Sequence, residues 1–91
     1  MDCIAQQLWN DWLTQGLNNQ LQLKNFILKR DPEGRLDRRA PRRWVAHCSD
    51  RSELVIWWND KGEQHGLITP SRGLDKPQGS QWSKADDWQW N

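Results

Sequence analysis

A chain of 91 residues with a net charge of +1 is sized for one domain and lacks the imbalance that drives charged chains into disorder. No stretch approaches the ~18 apolar residues of a membrane span, and the start, Met1-Asp2-Cys3, lacks the basic and apolar runs of a secretory leader. A cytoplasmic protein with no membrane partner, and with Cys3 and Cys48 as free thiols, is therefore expected.

Leu, Ile, Val and Phe together number only 17, whereas tryptophan occurs eight times. Each indole can bury roughly 150–250 Å². A core built largely on indoles is expected, in an α+β fold where one N-terminal amphipathic helix packs on a small three- to four-stranded antiparallel sheet.

Residues 2–15 carry Ile4, Ala5, Leu8, Trp9, Trp12 and Leu13 as one apolar stripe, with Gly16 where a helix stops. Trp9 and Trp12 on that stripe read as core. Residues 20–30 are ambiguous. Leu21 and Leu23 alternate with polar residues as in a strand, while Leu23, Phe26 and Ile27 also share a helical face. The turn signature Asp31-Pro32-Glu33-Gly34 and the β-rich region beyond it favour a strand, so antiparallel strands are expected over about residues 20–69.

The stretch "RLDRRAPRRW" then packs Arg35, Arg38, Arg39, Arg42 and Arg43 ahead of Trp44. Residues 29–43 carry a net +4, against −1 before and −2 after. This stretch reads as an arginine-rich loop. "RRWVAHCS" and "ELVIWW" are rich in β-branched and aromatic residues, Asn59-Asp60-Lys61-Gly62 suits a turn, and "EQHGLIT" runs until Pro70. Residues 70–81 read as a Pro/Gly/Ser-containing loop. Residues 82–91 form a tail with Trp82, Trp88 and Trp90, ending in a helical turn, that either folds back over the sheet or contacts a partner.

Catalytic constellations are thin. His47 and Cys48 are neighbours on a strand and point to opposite faces, so they cannot pair as base and nucleophile. Cys3, Cys48, His47 and His65 lack metal-ligand spacing, and the glycines form no phosphate-binding motif. No catalytic residue, metal or cofactor is expected.

A binding role remains. Arginine forks suit carboxylates or phosphates, and one indole of the adjacent pair Trp57/Trp58 must face outward. Arg38, Arg39, Arg42, Arg43, Trp44, Trp57 and Trp58 are the expected contact residues of a small non-enzymatic accessory module docking on a protein. The alternative is single-stranded or structured nucleic acid on the same surface, weak because few net positive charges are available. Homodimerisation is a third expectation, because a small domain gains stability by burying surplus indoles against its own copy.

Overall fold

The computed structural model describes residues 2–70. Two helices, α1 (Ile4–Thr14) and α2 (Gln20–Arg30), lead into four strands: β1 (Arg35–Ala40), β2 (Arg43–His47), β3 (Glu53–Trp58) and β4 (Gln64–Thr69). The strands pair antiparallel in chain order, so β1 and β4 are the edges of the sheet among the described residues. The expected α+β fold, helix first and sheet antiparallel, is the one observed.

α1 forms on its apolar stripe, with Ala5, Leu8 and Trp12 buried. It stops at Gly16, which takes φ +70°, while the Gly16 and Leu17 N–H groups bond back to Leu13 and Trp12. This satisfies carbonyls that the helix end would leave orphaned. The other end has no side-chain cap of its own at Cys3. Its first amides are taken from far along the chain. Ile4 N–H donates to Asp50 Oδ2 at 2.9 Å and Ala5 N–H to Ser52 Oγ at 3.0 Å. Both acceptors sit in the β2–β3 turn, where Arg51 adopts φ +74°.

Residues 20–30 are a helix, which corrects the strand expectation. The Asn19 side chain accepts the Leu21 N–H at 2.8 Å and caps the first turn. Leu23, Phe26 and Ile27, spaced three and four apart, are buried together, whereas Leu21 is 85% exposed. A strand would have put Leu21 and Leu23 on one face. Lys29 and Arg30 fall in the last turn, where cations favour the helix dipole. The turn at 31–34 exists, but it joins α2 to β1. Arg30 ties the helices by pairing with Asp11 at 2.8 Å while its guanidinium lies 3.8 Å over the Phe26 ring.

The arginine-rich stretch is likewise not a loop. Arg35–Ala40 is edge strand β1, and Pro41 and Arg42 turn the chain into β2. The register slips between Arg38 and Ala40, leaving Arg39 as the extra residue.

Strand alternation divides the sheet into two faces. Leu36, Trp44, Ala46, Leu54, Ile56, Trp58 and Ile68 join the helix residues in one core. Trp12 is fully buried, sets its ring edge-on to Phe26 at 5.0 Å and donates its N–H to Gln64. Gly66 lies beneath Trp9, where a Cβ would come within 2.6 Å of the indole, so only a glycine lets that ring rest on β4. The other face, bearing Arg35, Asp37, Arg43, Val45, His47, Glu53, Val55, Trp57, His65, Leu67 and Thr69, is covered by no described helix.

Candidate functional site

The seven contact residues expected from sequence fall on different parts of this frame. Arg38 and Trp44 are register partners on the helix side of the sheet, with the Arg38 guanidinium 5.6 Å from the Trp44 ring. Arg38 also donates to the Pro41 carbonyl, and Trp44 donates its indole N–H to Gln20. Trp58 is core, 8% exposed, with its N–H held by Asn18 at 2.8 Å. Trp44 and Trp58 therefore support the fold, and a single surface made of all seven residues does not exist.

Trp57 is the outward member of the tryptophan pair. It is half-buried on the helix-free face and stacks on His65, with centroids 5.2 Å apart and rings 19° from parallel. Arg43 is its register partner on β2. At this end of the sheet Arg42, Arg43, Trp57 and Trp58 meet, lining a cleft of about 320 Å³ with Pro41 and Asp60. Arg42 is bound across the cleft to Asp60 at 2.9 Å. Trp82, Trp88 and Trp90 lie outside the described residues.

At the other end of the same face lies a network that residue-by-residue reading missed. His47 is held between two carboxylates, with Nε2 2.9 Å from Asp37 on β1 and Nδ1 3.1 Å from Glu53 on β3. Asp37 also accepts from Arg35 at 2.6 Å, and Arg39 stands 3.9 Å away. Burial works to raise the Asp37 carboxyl, but hydrogen bonds from Arg35 and His47, with their charges, outweigh it and hold the group below its usual value. The missed signal was arithmetical. Once β2 and β3 pair about a short turn, His47 must stand opposite Glu53 and beside the odd-numbered residues of β1.

Neighbouring Cys48 points the opposite way, into the core, as strand alternation requires. Burial pushes its thiol up to about 12, so it is protonated at neutral pH and a poor nucleophile. Cys3 and Cys48 are both free. Among the described residues no group of three or more His, Cys, Asp or Glu side chains is arranged to hold a metal ion, and no helix is long and apolar enough to cross a membrane.

At the centre of the helix-free face Val45 and Val55 are buried, 5% and 2% exposed, with half-buried Leu67 beside them. An aromatic stack lies at one end and a buttressed His–carboxylate–arginine network at the other. Arg35, Arg39 and Arg43 set three positive charges there against Asp37 and Glu53. Such a face can offer an aromatic anchor and charge-assisted hydrogen bonds to another surface. Comparison with protein-family models, with curated proteins and with solved structures finds no match for this chain.

Proposed function

We propose that the chain is a small non-enzymatic docking module whose helix-free sheet face receives a protein partner. The partner surface that fits presents an apolar or aromatic side chain beside Trp57, flanked by a carboxylate for Arg39. One observation carries this reading: charged side chains of both signs share the face opposite the helices with a half-buried outward indole, Trp57. Interfaces with an aromatic anchor and a polar, charged rim have this composition. Two free thiols support a reducing, cytoplasmic site of action. Nucleic acid is less well served. Arg35, Arg39 and Arg42 stand beside acidic side chains, which reduces the positive charge left for releasing counterions.

The test is affinity capture followed by mass spectrometry, with three variants whose circular dichroism matches the native chain. A protein captured by the native chain should be lost with Trp57→Ala and with Arg39→Glu. It should be retained with Arg38→Glu, which changes the helix side. Equal loss with all three variants, or capture that disappears on nuclease treatment, contradicts the reading.

A further inference from the structure

The two edges of the sheet are built differently. Edge strand β1 carries four charged residues in six and a register slip, devices that keep a strand edge from pairing with another chain. The opposite edge, β4, reads Gln64-His65-Gly66-Leu67-Ile68-Thr69. It has no Asp, Glu, Lys or Arg, and its register with β3 is unbroken from Gln64 to Thr69.

The hydrogen-bond phase shows which groups this edge offers. Cys48 N–H bonds to Ser52 O and Trp58 N–H to Arg42 O, so the even residues of β3 bond toward β2. Asn59 N–H bonds to Glu63 O, so the odd residues bond toward β4. By alternation, the main-chain groups of Gln64, Gly66 and Ile68 point away from the sheet.

We infer that β4 pairs antiparallel with β4 of a second copy about a two-fold axis at Gly66. In this register Gly66 faces Gly66 and Gln64 faces Ile68 of the other copy, which uses every outward N–H and C=O of the three residues. A shift that centres the axis on Leu67 instead sets Gln64 against Pro70, which has no N–H to give. Self-pairing of β4 meets no like charge, whereas self-pairing of β1 would bring arginines together.

The helix layer fits the same dyad. α1 contacts both β3 and β4, and α2 contacts β1, so α1 is the helix nearest the β4 edge. Its Trp9 rests on Gly66, and Leu13, one turn further along the same side, is 47% exposed. Strands about 4.8 Å apart place the two α1 helices roughly 10 Å apart, the spacing at which helices pack. Trp9 and Leu13 of each copy then cover one another. The product is one continuous eight-stranded sheet with all helices on one side. This inference uses the strand edge and is independent of the docking face.

Sedimentation equilibrium on the full chain over a range of concentrations tests it, together with residue-resolved amide exchange. A dimer is expected, weakened at least tenfold by Leu13→Glu, which sets like charges across the axis at an exposed site. In the dimer the Gln64, Gly66 and Ile68 amides should be protected, and should lose protection on dilution, while His65 and Leu67 stay protected throughout. The inference is overturned by a monomer at every concentration or by a dimer that Leu13→Glu leaves unchanged. Concentration-independent protection of the three amides would overturn it as well, by assigning the edge to another segment of the same chain.

Discussion

Asp37 shows how much one side chain organises. It receives Arg35 and His47 and stands near Arg39, joining the first two strands on the helix-free face. Because its carboxyl titrates below the usual value in the folded chain, folding favours its charged form. That contribution is fully present above the unfolded value of about 3.9 and is lost as pH falls through the folded one. Urea unfolding at pH 7 and at steps below pH 4 should therefore show the native chain losing stability toward acid, with a shallower loss in Asp37→Asn. Equal acid slopes would contradict this role. None of this was readable from Asp37 alone, because its partners are fixed only by strand register.

The helices differ in how openly the sequence declares them. α1 has a continuous apolar stripe and a glycine stop, and both were legible. α2 shows two periods at once. The alternating Leu21 and Leu23 resembled a strand until burial of Leu23, Phe26 and Ile27 against α1 and the sheet decided for the helix. Tertiary packing overrode a local pattern. The N-terminus of α1 was less legible still, since its cap comes from Asp50 and Ser52, 46 and 47 residues away. This long-range cap couples the helix to the β2–β3 turn. Ser52 is fully buried, so Ser52→Ala strands the Ala5 amide without an acceptor. A loss of about 1–3 kcal/mol is expected in chemical denaturation. A change within experimental error would show that water replaces the hydroxyl.

The described residues form a sheet with one face sealed by helices and the other carrying charge and an indole. Composition suggested a core built largely on indoles, but of the tryptophans among the described residues only Trp12 and Trp58 are buried. The rest of the core is mainly aliphatic, with Leu8, Leu23, Ile27, Leu54 and Ile56 at its centre. Adjacent residues on a strand foretold that Trp57 and Trp58 would part. The arginine cluster misled because sequence proximity was read as spatial proximity: pleating sends Arg38 to one side and Arg43 to the other, and Arg42 to a turn. The helix-free face could be assembled only from four strands in register. Its proposed role has a direct test in oxidative footprinting of the tryptophans by mass spectrometry, with and without the captured protein partner. Trp57 should be oxidised in the free chain and protected in the complex, while Trp44, on the helix side, keeps the same reactivity. Protection of Trp44 with Trp57 unchanged would contradict the account.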